Sequence, residues 1–302
     1  MSSSATVRWL MLLGVAIISF SAISVRLSDA SPVTVAFFRA AYALPVLLVL
    51  RAVVPRGTPR TRAQRRMAVL AGLALAGDFV AWHVAIELIG AGLATVVGSI
   101  HVITTMVAGW LILGQRPTRV AVAATPVVLS GVVLISGLLG AGETGDNPAL
   151  GAFFGVLTAV LYTSFILLLR QSGASTTSPV GPLLDATAGA AIGALLLSPL
   201  DSGFSLTPQW PSHGWLLALA LGAQVTGWLL ITYALPRLDA WESSLLLVLQ
   251  PAGTVLWAYL IFGEVFSPWQ WVGLMLVVVG VATVAISRAA TPDPRTLPAP
   301  QV

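Results

Sequence analysis

Apolar stretches of about twenty residues follow one another along nearly the whole chain, with short polar joins between them. Ten can be drawn: 8–27, 33–51, 67–89, 92–114, 118–137, 148–170, 179–199, 213–235, 240–262 and 268–287. Each is close to the ~20 residues an α-helix needs to cross the hydrocarbon core of a bilayer. Helix is the expected form throughout, because lipid gives an open backbone no hydrogen-bond partner. Proline marks many of the joins, at Ser31-Pro32, Arg116-Pro117, Asn147-Pro148, Ser178-Pro179 and Ser267-Pro268.

Composition narrows the class. The chain is 57% hydrophobic and 9% charged, whereas soluble domains carry about 25% charged residues. The expectation is an all-α membrane protein of ten transmembrane helices. Cysteine is absent, which excludes disulfides, thiolate nucleophiles and thiolate metal sites. Residues 1–30 resemble a signal peptide, but the same apolar character continues along the chain and favours a retained first helix.

Charge then sets the orientation. The formal net charge is +4, and every basic residue is arginine. Alternate connections hold Arg8, then Arg51, Arg56, Arg60, Arg62, Arg65 and Arg66, then Arg116 and Arg119, Arg170, Arg237, Arg288 and Arg295. The opposite connections hold Asp29, Glu143, Asp146, Asp201 and Glu264, with Arg26 the one arginine nearby. This is a positive-inside pattern that places both termini in the cytoplasm, and it speaks against a nucleic-acid footprint. The arginines at 56–66 read as an anchor on anionic lipid. The expected location is a bacterial cytoplasmic (inner) membrane, with residues 291–302 forming a disordered cytoplasmic tail.

The chain also repeats itself. An offset of 149 positions sets Gly114 on Gly263, Gln115 on Glu264, Gly131 on Gly280 and His101 on Gln250, and a nearby offset sets Ser31-Pro32-Val33 on Ser178-Pro179-Val180. The expected domains are a first repeat at 1–140 and a second at 141–290. With an odd number of spans in each, the halves insert in opposite orientations, an architecture that places a substrate site near the midplane between them.

These residues resemble a known family. Phe37-Phe38-Arg39, Asp78-Phe79-Val80-Ala81-Trp82-His83, the Leu-Gly-Gln and Phe-Gly-Glu endings of the fourth and ninth stretches, Leu249-Gln250-Pro251 and the run at 227–235 are similar to the EamA-type branch of the drug/metabolite transporter superfamily. The resemblance covers about residues 8–287. It implies a ten-helix inverted-repeat fold, a central cavity between the halves, alternating access, and export of metabolites or amino acids. Two positions depart from the pattern: His101 stands where many relatives carry a small or uncharged residue, and Gln115 replaces a usual glutamate.

Ionisable groups deep in apolar helices are the candidate site, since each costs on the order of 2.5–3.5 kcal/mol to insert. At 100° per residue, Asp78 and Glu87 fall on opposite faces of the third helix. Phe79, His83, Glu87 and Gly90 are assigned to the cavity, Trp82 to its edge, and Asp78 to the neighbouring helices with Arg39 as its buried ion-pair partner. The candidate substrate-binding residues are Trp82, His83, His101, Tyr162, Gln224, Trp228 and Gln250. Arg39, Asp78 and Glu87 are the candidate coupling or buried charges. A lining both aromatic and polar suits solutes that combine an apolar body with hydrogen-bonding groups.

Other signals have plainer readings. Asp239-Ala-Trp-Glu242 reads as a capping box, Gly151-x-x-x-Gly155 and Gly189-x-x-x-Gly193 as helix contacts, and Asp185 as a residue at the cytoplasmic interface. No His-Glu-x-x-His, Gly-x-Ser-x-Gly or Walker motif is present. Catalysis, cofactors and direct ATP hydrolysis are therefore not expected. The reading is a proton- or exchange-coupled exporter of amino acids or related amphipathic compounds. An intramembrane enzyme or lipid-handling protein using the same cavity is the alternative. The substrate and any pairing of the chain with itself stay open.

Overall fold

The computed structural model describes residues 4–136, 147–207, 209–263 and 266–289. The expectations for the 291–302 tail and for Glu143, Asp146 and Glu264 lie outside these. Ten helices carry the described chain: α1 Ser4–Ser28, α2 Pro32–Val53, α3 Arg62–Gly90, α4 Leu93–Leu113, α5 Arg119–Ile135, α6 Pro148–Ser172, α7 Val180–Leu200, α8 Ser212–Ala234, α9 Ala240–Phe262 and α10 Pro268–Ser287. Nine are long and apolar enough to cross a membrane, and α5 is a shorter apolar helix.

The helix ends have local causes. Thr61 and Gln64 form a reciprocal capping box at the start of α3, while Thr118 and Asn147 cap α5 and α6 through their side chains. The first free amide of α2, on Val33, donates across the molecule to Asp201 Oδ2 at 2.9 Å. Between α3 and α4 the chain reverses at Gly90, whose φ of 79° and ψ of 156° suit glycine alone.

The halves are built alike. α4 is interrupted at Ser99–Ile100 and α9 at Val248, which is Ser99 displaced by 149 positions. α4 and α9 end on Gly114 and Gly263, both left-handed, with φ of 67° and 63°. The packing pattern survives exchange of the halves: α1 packs on α8 and α9 as α6 packs on α3 and α4, while α2–α7, α4–α9 and α5–α10 are self-corresponding pairs. Connections also gather by charge. Gly57 lies against Thr176 and Ser178, Gln64 bonds Ser175, and Arg8 bonds Glu242, so the arginine-rich joins share one end. Asp201 and Ser205 meet Val33 and Thr34 at the other.

Small residues let the helices close up. A β-carbon on Gly131 would stand 2.8 Å from the Gly273 carbonyl oxygen, and one on Gly273 would stand 2.6 Å from that of Gly131. The glycine pairs of α6 and α7 do the same work, Gly151 and Gly155 against Ile89 and Val97, Gly189 and Gly193 against Val69 and Ala76. Close backbone approach is what dispersion-driven packing in lipid requires.

Two local expectations are corrected. Asp239 makes no side-chain capping bond at the start of α9. The Ala240 amide donates instead to Gln115 Oε1 at 2.8 Å, so the cap comes from the other half, and Glu242 accepts from Arg8 Nε at 2.5 Å. A buried helix end takes whichever acceptor tertiary packing brings to it. Asp185 does more than face the interface, because it holds Arg60 Nη2 at 2.6 Å.

Candidate functional site

Arg39 on α2 is buried, and its Nε donates to Gln224 Oε1 on α8 at 2.7 Å. Gln224 Nε2 in turn donates to Thr187 Oγ1 on α7 at 3.1 Å. These bonds tie the first half to the second through three buried side chains. The Arg39 guanidinium also stands 5.1 Å from the centroid of Phe79 on α3, a cation–π contact. Gln224 lies within residues 220–227 of α8, which form a π-helix. Such widened turns are rare and occur frequently at functional sites.

The expected direct pair of Arg39 with Asp78 is corrected here. Asp78 is buried and close enough to act on the Arg39 charge, yet among the described residues no ion pair or hydrogen bond joins the two. Gln224, from the opposite half, takes the Arg39 Nε instead.

A chain of aromatic rings continues from there. His101 on α4 meets Tyr162 on α6 edge to face at 4.8 Å, Tyr162 lies 6.0 Å from Phe165, and Phe165 meets Trp228 on α8 at 4.7 Å. His101 Nδ1 donates to the Gly98 carbonyl at 3.2 Å, which in the neutral ring leaves Nε2 as a lone-pair acceptor. That Nε2 is buried and has no partner, and the same holds for Thr158 Oγ1, Trp228 Nε1 and Thr232 Oγ1. A buried polar atom left unsatisfied costs about 1–3 kcal/mol. Of these, His101 Nε2 is an acceptor and Trp228 Nε1 a donor on the ring chain itself.

The remaining candidates sit apart from this group. His83 is half-buried and donates from Nδ1 to the Phe79 carbonyl of its own helix at 2.7 Å. Its ring meets Trp82 at 5.2 Å, and Trp82 lies beside Gly98 of α4. Glu87 is exposed. Gln250 follows the break in α9 and is half-buried; no described hydrogen bond or ring contact brings it to the cluster. Farther along α9, Thr254 and Trp257 bond the Ser19 backbone and hydroxyl of α1 at 2.9 and 3.0 Å. Thr104 and Thr105, on the same stripe as His101, bond Thr163 at 2.6 and 3.0 Å and serve packing.

Thr187 and Phe165 belong to the cluster but were not candidates. A lone threonine among alanines and glycines, or a phenylalanine among leucines, leaves no periodic or motif signal in so apolar a sequence.

The model of one protein family, the EamA-like transporters, matches residues 6–137 and again 149–286. The chain belongs to the EamA-like transporter family. It is therefore a membrane transport protein of the drug/metabolite transporter superfamily with two EamA domains, one in each half. A solved structure described only as a crystal structure of a protein is similar over 94% of this chain and 100% of its own, with a TM-score of 0.80 and 17% identity. That likeness is one of fold alone. No curated protein matches the sequence. The EamA halves meet at the Arg39–Gln224–Thr187 bonds and at the ring chain from His101 to Trp228.

Proposed function

We propose that this EamA transporter is a secondary active exporter of amino acids or closely related amphipathic compounds, working by alternating access. The observation that carries the reading is the buried cluster shared by the two halves. Arg39 offers a fixed cation to a carboxylate, His101 Nε2 offers a lone pair to an ammonium or amide N–H, and Tyr162, Phe165 and Trp228 face an apolar side chain. Because the contributing residues come from both halves, rocking one half against the other would open the cluster to one side at a time. Asp78, within electrostatic reach of Arg39, is the proposed proton or exchange-coupling carboxylate. Trp82, His83, Glu87 and Gln250, which stand apart from the cluster, are proposed to line the approach to it. Both termini are proposed to be cytoplasmic in a bacterial inner membrane, on the strength of the arginine-rich end.

Counterflow in proteoliposomes tests this. Vesicles preloaded with a single amino acid should accumulate its labelled form, with saturation, across a panel of apolar and aromatic amino acids. His101→Gln and Arg39→Gln should reduce counterflow at least tenfold, while His83→Gln, whose ring is held by its own helix, should retain most of it. A new product in the vesicle contents by mass spectrometry, with no counterflow, would instead favour an intramembrane enzyme.

A further inference from the structure

The arginine-rich end contains a built cavity that is separate from the central cluster. The loop from α2 to α3 folds against the connection from α6 to α7 and encloses a space of about 210 Å³ lined by Arg51, Arg56, Arg60, Arg65, Thr176 and Ser178. Its walls are tight. Gly57 has a φ of +62°, and a β-carbon there would lie 2.8–2.9 Å from Thr176 Oγ1, Thr177 Oγ1 and the Ser178 amide. Opposite, a β-carbon on Gly181 would lie 2.9 Å from Arg60 Nη2.

The charge is unbalanced. Arg60 has a side chain only 7% exposed, and its Nη2 is held by Asp185 at 2.6 Å, but its Nη1 is buried with no partner. Among the described residues Arg51, Arg56 and Arg65 pair with no carboxylate, so four guanidinium groups face one carboxylate. Burial lowers the Arg60 pKa from its ordinary value; Arg65 and Arg51 push the same way and Asp185 opposes them. A general attraction to anionic lipid would need only exposed arginines. It would not need a buried, half-satisfied guanidinium walled in by two glycines.

We propose that this cavity binds a phosphate group, with Arg60 Nη1 and the Arg56 and Arg65 guanidinium groups as donors. Guanidinium forks match the geometry of phosphate oxygens and pair with them in charge-assisted bonds. The group comes from the headgroup of an anionic phospholipid or from free phosphate in the aqueous phase. Either source would fasten the α2–α3 loop of the first half to the α6–α7 connection of the second.

The test uses the full chain purified in dodecyl maltoside, with melting followed by intrinsic tryptophan fluorescence. One arm titrates sodium phosphate against sodium chloride at matched ionic strength, and the other titrates phosphatidylglycerol against phosphatidylcholine in mixed micelles. The expected result is a saturable rise in melting temperature with at least one of the two phosphate probes. Arg56→Gln/Arg65→Gln should weaken the half-saturation concentration at least roughly tenfold, the scale expected on losing charge-assisted bonds. Both residues are exposed and unpaired, so this variant keeps the Arg60–Asp185 contact that Arg60→Gln would break. Arg116→Gln/Arg119→Gln removes the same charge outside the cavity and should leave the response intact. A response to phosphate alone assigns the free anion, and one to phosphatidylglycerol alone assigns the lipid. No saturable shift with either probe, or equal losses in the two double variants, overturns the proposal.

Discussion

Arg39 shows how a single buried cation is accommodated between two halves of a membrane protein. Its hydrogen bond to Gln224 is charge-assisted, a class that contributes about 1.5–3 kcal/mol. Arg39→Met and Gln224→Leu should each destabilise the protein, and the double variant should cost less than the sum by roughly 1–3 kcal/mol. A thermal-melting double-mutant cycle measures this coupling, and additive losses would mean the bond carries no energy. The same residue marks the limit of sequence reading. Arg39, Asp78, His101, Tyr162, Gln224 and Trp228 were all legible as candidates, because ionisable and aromatic groups stand out in a chain this apolar. Which of them touch was not legible. Helical phase gives a residue's face but does not say that Gln224 of the other half, and not Asp78, would bond Arg39.

At the scale of elements, lengths and ends were readable to within a few residues, since the span is set by the bilayer and the ends by Pro, Gly and Thr caps. Packing between elements depends on individual glycines. Gly131→Ala should force α5 and α10 apart, because its β-carbon would stand 2.8 Å from the Gly273 carbonyl oxygen. Overpacking of this kind costs about 1–3 kcal/mol or more. Gly222→Ala, whose β-carbon would meet nothing within 4 Å, is the matched control and should be neutral or slightly stabilising. Comparison of the two melting temperatures in detergent checks the claim; equal shifts would refute it. The start of α9 departs from its sequence pattern for a related reason. Asp239-Ala-Trp-Glu242 has the spacing of a capping box, but Gln115 from the other half occupies the Ala240 amide.

For the whole molecule, arginine-bearing joins gather at one end and Asp201 at the other, which predicts their exposure on opposite faces of the membrane. Cysteines placed singly at Thr58 and Ser202 in this cysteine-free chain should react with an impermeant thiol reagent from opposite sides. Labelling of both from one side would contradict the inverted arrangement. Both positions are exposed, so reactivity reports sidedness rather than burial.

The sequence by itself determined that this is a ten-helix membrane protein with duplicated halves. Hydrocarbon thickness, backbone satisfaction and the cost of buried charge act on every residue locally, and they leave a pattern at every residue. The 149-residue offset was visible in the same way, and it recurs in the structure as matching breaks in α4 and α9. Tertiary structure alone decided the contacts that join the halves. Arg39 with Gln224, Gln115 with Ala240 and Arg8 with Glu242 are separated by more than a hundred residues. Such pairs depend on helix rotation and glycine-permitted approach, which act between segments and leave no local pattern to read.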